Sequence, residues 1–138
     1  MSTLTIALGE AKKSKSKSIT DRVKSFEDAC QELGYGGTVS IEVPKVLDGD
    51  KDSIGAYAKL IIIVRALNEG WTPDWNDTNE YKYYPWMEYK SGVGFSCLDF
   101  VNSFSGSGVG SRLCFKTREL AEYAAKQFQD LYNEFFNL

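Results

Sequence analysis

The chain has 138 residues, a net charge of −3 and no histidine. This length suits one domain with its own core, and the contents of hydrophobic residues, 43%, and charged residues, 25%, are typical of soluble globular proteins. The missing histidine removes the usual general base, the usual partner of a nucleophile and the commonest zinc ligand, while the negative charge opposes nonspecific binding to nucleic acid.

The N-terminal segment is predicted to contain a short edge strand at residues 3–8 and a basic arm at residues 9–18. The lysines of this arm alternate with serines and are candidate contacts for phosphate or an anionic surface. They are Lys12, Lys13, Lys15 and Lys17. The alternative, a solvated and flexible leader without a ligand, is the commoner role of such a short charged stretch.

Two helices are predicted in the first half of the chain. The first begins at a cap on Ser18 or Thr20, carries apolar residues at intervals of three and four, and ends at Gly34. A glycine turn then leads into residues 38–43, whose alternation suits either a strand or an extended connection. Apolar residues nearly encircle the second helix, at residues 53–70, which should therefore be a central helix buried on more than one side.

An acidic run before the second helix imitates a calcium-binding loop. Its carboxylates belong to Asp48, Asp50 and Asp52, at the spacing of the first ligands of an EF-hand. The rest of the pattern is missing, because Ser53 stands where the loop needs glycine and Lys59 where it needs a bidentate carboxylate. A solvated acidic loop explains these residues, since negative charge is favourable before a helix N-terminus.

Three strands of an antiparallel meander are predicted after the polar loop at residues 72–80. They cover residues 81–90, 93–104 and 109–116. Aromatic and β-branched residues dominate them, Ser-Gly turns separate them, and Pro85 suits an edge strand or a bulge. The glycine-rich segment at residues 106–110 is predicted to be a hairpin turn. A phosphate-binding loop is the less favoured alternative, because the segment lies between predicted strands and does not open a helix. Arg112, just beyond it, is a candidate anion contact.

The last predicted helix begins at Thr117 and should pack an apolar stripe on the sheet. The stripe consists of Leu120, Ala124, Phe128, Leu131 and Phe135. The predicted fold class is therefore α+β, a single domain over residues 1–138. It combines an antiparallel sheet of about three to five strands with a buried central helix and an amphipathic C-terminal helix.

Cysteine usage and the N-terminus predict a cytoplasmic protein. Cys30, Cys97 and Cys114 are odd in number and far apart, which suits free thiols and lacks the paired spacings of a zinc site. The longest apolar run, residues 60–64, is far shorter than a membrane span. The N-terminus has no basic segment followed by a hydrophobic stretch and a cleavage site.

The densest chemical feature is an aromatic block at residues 71–104, which holds all three tryptophans. Its candidate partner-binding residues are Trp71, Trp75, Tyr81, Tyr83 and Trp86. Aromatic side chains fall on both parities of the first strand, so both faces of the sheet carry them. Either helices cover both faces, or an exposed aromatic patch remains for contact with a partner or for base stacking.

Three stretches, residues 66–77, 82–86 and 110–128, also carry a resemblance. Together with the Gly-Trp-x-Pro-x-Trp motif at residues 70–75, they resemble small uncharacterised proteins of tailed bacteriophages, prophages and mobile elements, especially those of gut Bacteroidales. The likeness covers the chain from about residue 19 onward. It implies an α/β sandwich-like domain in a phage or mobile-element setting, in the cytoplasm of a bacterial host, and it transfers no catalytic or binding residue.

The function expected from these features is noncatalytic binding, without cofactor or metal. The partner would be a host or phage protein, and no membrane partner is expected. One alternative is a single-stranded nucleic-acid-binding protein, whose aromatic residues stack on bases while the basic arm contacts phosphate. A second is a homo-oligomeric structural or virion component, which would associate through an uncovered sheet edge or aromatic face.

Overall fold

The computed structural model describes residues 17–103 and 106–137, without the side chains of residues 97–103. The helices in this part are α1 (Ile19–Arg22), α2 (Phe26–Glu32), α3 (Lys51–Leu67), α4 (Arg118–Gln127) and α5 (Gln129–Phe136), and the strands are β1 (Lys82–Lys90) and β2 (Gly94–Ser103). The predicted strand at residues 3–8 lies outside the described residues. So does the basic arm as far as residue 16, with Lys12, Lys13 and Lys15.

The first predicted helix is two short helices. Ser18 caps α1 with a capping box, in which its hydroxyl accepts from the backbone N–H of Asp21 and the Asp21 carboxylate accepts from the backbone N–H of Ser18. The chain then leaves helical geometry at Val23, where φ is −109° and ψ is 95°. A second cap, Ser25, restarts the helix by accepting from Asp28 N at 3.1 Å. The prediction of one continuous helix to Gly34 was wrong because this second cap lies inside its periodic pattern.

The predicted central helix is confirmed as α3. A 3-10 turn at Lys45–Asp50 precedes it, and an irregular connection over residues 38–44 precedes that turn, so the extended alternative holds for this segment. Helix α3 packs against both α2 and α5. Its buried residues are Ala56, Leu60, Ile63, Val64, Ala66 and Leu67. The helix ends where Glu69 and Gly70 adopt φ values of 49° and 86°.

The two strands form an antiparallel hairpin, with a turn at residues 91–93. The backbone of Tyr83 donates to Phe115 O at 3.0 Å and accepts from Phe115 N at 2.7 Å, so its polar groups point away from β2. By alternation, the backbone of Pro85 points to the same edge, where its missing N–H breaks no bond to β2. The edge position predicted for Pro85 is therefore confirmed, and a bulge follows between Trp86 and Met87.

The predicted sheet of three to five strands is wrong, since the described residues form a sheet of two. The third predicted strand, residues 109–116, contains a 3-10 turn at Ser111–Leu113 and an isolated bridge between Phe115 and Tyr83. Leu113 and Phe115 are fully buried, but they are buried in the helical core and not along a ladder. Burial at alternate positions therefore produced a strand-like pattern without strand pairing.

The C-terminal segment begins as predicted, because the hydroxyl of Thr117 accepts from Leu120 N at 3.2 Å. It is not one helix, however, since Phe128 has φ −114° and ψ 28° and separates α4 from α5. This break lets the two helices meet different neighbours: α4 contacts both strands, whereas α5 contacts β2 and packs against α3. Of the two, α5 thus lies between the hairpin and the central helix.

The two faces of β1 are covered differently. On one face, Tyr83 and Met87 pack against the helical core. On the other, Lys82 and Tyr84 are buried, and the Tyr84 hydroxyl accepts from Gly108 N at 3.4 Å, but Trp86 is half exposed. Of the described residues, those in helices cover one face, and those in loops cover the beginning of the other. Within the described ranges, no helix combines the length and apolar character that a membrane span requires.

Candidate functional site

The loop between α3 and β1 is organised by a buried lysine. Lys82 has no exposed surface, and its ammonium group donates to Asp77 O at 2.9 Å and lies 3.5 Å from the Glu80 carboxylate. The same ammonium is 5.3 Å from the centre of the Trp75 ring. Glu80 in turn accepts from Asp74 N at 2.8 Å. The loop is therefore tied to the start of β1 at several points.

Two Asx turns give the loop its local shape. The Asp74 carboxylate accepts from Asn76 N and the Asp77 carboxylate accepts from Asn79 N, each at 2.9 Å. Short Asp and Asn side chains favour this geometry because they replace a backbone hydrogen bond of the turn. The carboxylate pair Asp74 and Asp77 is thus engaged in loop structure.

A cleft of about 310 Å³ lies beside α3. It is enclosed by the C-terminal half of α3, by the 3-10 turn at Ser111–Leu113 and by residues 71–75, which we call the Trp-Pro-Trp loop. The side chains that line it include Arg65, Asn68, Trp71, Pro73, Trp75 and Arg112. Both tryptophans are partly buried. The cleft therefore combines flat apolar surfaces with two guanidinium groups.

Asn68 holds two walls of this cleft together. Its side chain is buried; the amide donates to Cys114 O at 2.9 Å and the carbonyl accepts from Lys116 N at 3.2 Å. Because both partners follow Arg112 closely in the chain, these bonds fix the position of the 3-10 turn relative to α3. Asn68 thus acts as a positioning residue for the cleft.

Among the residues that the structure describes, no carboxylate pairs with either arginine of the cleft. Arg65 donates to the hydroxyl of Tyr35 at 3.2 Å, and Arg112 has no hydrogen-bond or ion-pair partner in the part of the chain that the structure describes. By contrast, Arg22 contacts Glu32 at 2.8 Å and Glu69 at 3.5 Å. The cleft is therefore a local site of unneutralised positive charge in a protein whose net charge is −3.

A second surface lies on the hairpin, away from the cleft. Trp86 is 50% exposed, Tyr89 58% and Val93 66%. Tyr89 faces Phe95 across the hairpin with ring centres 5.4 Å apart, and Phe95 lies 5.3 Å from Phe136 of α5. By alternation, Trp86 and Tyr89 point to opposite faces of β1, and we call the exposed part of the hairpin that carries Trp86, Tyr89 and Val93 the hairpin surface. These side chains extend past the region that the helices cover.

The predicted partner-binding residues divide between these surfaces. Trp71 and Trp75 meet in the cleft together with Arg112, the predicted anion contact. Trp86 belongs to the hairpin surface, while Tyr81 and Tyr83, with ring centres 5.8 Å apart, lie at the beginning of the strand. Lys17 is exposed, and the other lysines of the arm lie outside the described residues.

Sequence reasoning missed Arg65 and Lys82. Arg65 was visible as the one charge in the last turns of an otherwise apolar helix, and Lys82 as a lysine between tyrosines in a strand. Neither signal could show burial or a shared cleft. Both properties arise only when α3, the Trp-Pro-Trp loop and β1 are assembled.

Two other kinds of candidate site, a metal site and a reactive thiol, find little support in the described residues. Among the described residues, no three His, Cys, Asp or Glu side chains converge on a position that could hold a metal ion. Cys30 and Cys114 are buried, and burial raises the pKa of the Cys114 thiol, which donates to Gly110 O at 3.2 Å. A thiol in this environment is a poor nucleophile.

The glycine-rich segment beside Cys114 packs on Tyr84 through Gly108. It leads directly into the 3-10 turn at Ser111–Leu113, so the prediction that it separates two strands was wrong. No protein-family model, no curated protein and no solved structure matches the chain.

Proposed function

We propose that this chain is a small noncatalytic accessory protein of a phage or mobile element, which acts in the host cytoplasm by binding another protein through its hairpin surface. The observation that carries this proposal is the exposure of Trp86, in the middle of β1, and of Tyr89, near the turn, at 50% and 58%. Large aromatic side chains are the usual anchors of protein interfaces because they bury much apolar area with little loss of rotamer entropy.

The backbone of the hairpin supports the same proposal. In the described residues, β1 pairs with β2 on one edge and has only the Tyr83 bridge on the other. By alternation, the backbone groups of Met87 and Tyr89 point to this open edge. An extended segment of a partner could therefore add a strand beside them, with Trp86 and Tyr89 as flanking contacts.

The chemistry of the chain also supports a noncatalytic role. The sequence has no histidine, so a nucleophile would lack its usual base. Of the thiols that the structure describes, Cys30 and Cys114 are buried. The phage or mobile-element setting of this proposal is inferred from the sequence resemblance. The partner must then be a protein that is present in the host cell together with this chain.

The test is site-specific photocrosslinking in the host during phage growth or element induction. A photoreactive phenylalanine analogue replaces Trp86, and the matched control carries it at Lys126, an exposed position of α4. We expect a discrete crosslinked protein from position 86 that survives nuclease treatment and is absent from position 126. A Tyr89→Ala substitution should weaken that crosslink. No crosslink at position 86, or the same products from both positions, would contradict the proposal.

A second copy of the chain is the other candidate occupant, because an open strand edge can pair with itself. In that case, the crosslinked product would have twice the mass of the chain, and sedimentation equilibrium of the purified protein would show a dimer. A strictly monomeric profile at high concentration would exclude this homo-oligomeric alternative.

A further inference from the structure

The cleft beside α3 carries a positive charge that no carboxylate of the described residues neutralises. Arg65 contacts only a tyrosine hydroxyl, and Arg112 has no partner among the described residues. Carboxylates are in excess in this chain, with 19 acidic residues against 16 basic ones. Two guanidinium groups without a carboxylate at one cleft therefore indicate an anionic ligand, and the planar fork of arginine suits phosphate oxygens in particular.

Beside polar groups such as Asn68 and Ser111, the cleft has flat apolar surfaces. Trp71, Pro73 and Trp75 line it, and the buried Lys82 ties the loop that carries them to β1. Indole rings offer a stacking surface that suits the π-face of any nucleobase. Because the loop is fixed by its own hydrogen bonds, a stacked ring would not have to order it on binding.

The size of the cleft limits the ligand. Its volume of about 310 Å³ lies at the lower end of the range for small-molecule sites and suits one base with its sugar and phosphate. The net charge of −3 opposes contact with a long run of phosphates. The cleft thus fits a single nucleotide unit better than an extended strand.

We propose that this cleft binds a nucleoside phosphate, with the phosphate on Arg65 and Arg112 and the base against the indole surfaces of Trp71 and Trp75. The unit can be a free nucleotide or one residue of a single strand, since both present the same base and phosphate. An acidic peptide offers the anion without the flat ring, so it uses only part of the cleft. This site is separate from the hairpin surface, and either proposal can fail without the other.

The experiment uses the full chain with Trp86→Phe as background, so that Trp71 and Trp75 alone report by fluorescence. Nucleoside monophosphates, the corresponding nucleosides, inorganic phosphate and a short single-stranded oligonucleotide are titrated in parallel, and calorimetry checks each dissociation constant. We expect the monophosphates to quench the fluorescence and to bind about tenfold or more tightly than nucleoside or phosphate alone. Binding should weaken as salt is added.

The variant Arg112→Glu should raise the dissociation constant of the monophosphates about tenfold or more, while that of the nucleosides stays the same. Arg112 is exposed, so this variant should keep the wild-type melting temperature. Arg118→Glu, at an exposed position of α4, is the matched control and should bind like the background protein. Tighter binding of the oligonucleotide than of the monophosphates would identify one residue of a single strand as the ligand, and tighter binding of the monophosphates would identify a free nucleotide.

Three results would overturn the proposal. The first is that neither the monophosphates nor the oligonucleotide bind at about 1 mM. The second is that Arg112→Glu leaves their binding unchanged. The third is that, in competition against a labelled monophosphate, an aspartate-rich peptide displaces the label at lower concentration than unlabelled monophosphate does. That result would assign the cleft to an acidic protein segment.

Discussion

The ammonium group of Lys82 lies 5.3 Å from the centre of the Trp75 ring, in a side chain that solvent does not reach. A buried charge is costly unless it is paired and hydrogen-bonded, and Lys82 meets both conditions through Glu80 and the carbonyl of Asp77. One lysine of β1 thereby fixes the loop that forms the apolar wall of the cleft. The stability of the loop and the shape of the cleft depend on the same residue.

Lys82→Met should lower the free energy of unfolding by roughly 2–3 kcal/mol, because methionine fills the space but leaves the Asp77 carbonyl and the Glu80 carboxylate without their cation. Urea denaturation followed by circular dichroism measures the change. Lys126→Met is the matched control, since its ion pair with Glu122 is exposed and should contribute little. Equal stability of the two variants would show that Lys82 does not hold the loop.

Asn68→Ala should also destabilise the protein, by roughly 2–4 kcal/mol. The substitution removes two hydrogen bonds and leaves the carbonyl of Cys114 and the N–H of Lys116 without them. Thermal denaturation measures the loss, and Asn76→Ala, at an exposed loop position, serves as the control. A melting temperature of Asn68→Ala equal to that of the control would contradict the role of Asn68 in joining α3 to the 3-10 turn.

Local sequence signals predicted where the elements begin, but not where the helices break. The caps at Ser18 and Thr117 are contained within a few residues of sequence, so they could be read directly. The break at Phe128 has no glycine or proline to announce it. It depends on α4 meeting the hairpin while α5 meets the central helix, and that information is tertiary.

The candidate site was predicted in parts. Trp71, Trp75 and Arg112 could be selected from the sequence because each carries a recognisable chemistry. Their convergence with Arg65 could not, since 47 positions separate the two arginines and no local pattern relates them. The excess of positive charge in the cleft is likewise hidden in a sequence whose net charge is negative.

Two glycines of the hairpin should respond differently to alanine. Gly92 and Gly94 both have positive φ, 79° and 89°. A Cβ at Gly92 would meet nothing within 4 Å, whereas at Gly94 it would lie 2.7 Å from the Asn133 side-chain oxygen. That oxygen accepts from Phe95 N at 2.9 Å and ties the hairpin to α5, so it cannot move without losing the bond.

Gly92→Ala should therefore cost about 1 kcal/mol through backbone strain alone, and Gly94→Ala should cost roughly 2–3 kcal/mol through strain and the lost hydrogen bond. Chemical denaturation of both variants tests the difference. In an Asn133→Ala background, where this hydrogen bond is already absent, Gly94→Ala should cost only about as much as Gly92→Ala. If the two single variants were equally stable, the contact between the hairpin and α5 would not be as close as described.

Tyr123 predicts how stability depends on alkaline pH. Burial raises the pKa of its hydroxyl above the ordinary value of 10.0, and the nearby charges of Asp28 and Asp21 act in the same direction. The hydroxyl also donates to Val23 O at 2.7 Å, which joins α4 to the N-terminal helices. Between the two pKa values, the unfolded chain has lost this proton while the folded chain keeps it. The free energy of unfolding must therefore fall as the pH rises.

Stability from this group is complete below pH 10.0 and is lost as the pH rises through the pKa of the folded state. Tyr123→Phe should cost about 1 kcal/mol at neutral pH, because the hydrogen bond to Val23 is lost. The difference between wild type and variant should shrink above pH 10, since only the wild type carries this titrating group. Urea denaturation of both proteins across the alkaline range measures it, and a difference that stays constant with pH would show that Tyr123 titrates alike in the folded and unfolded chains.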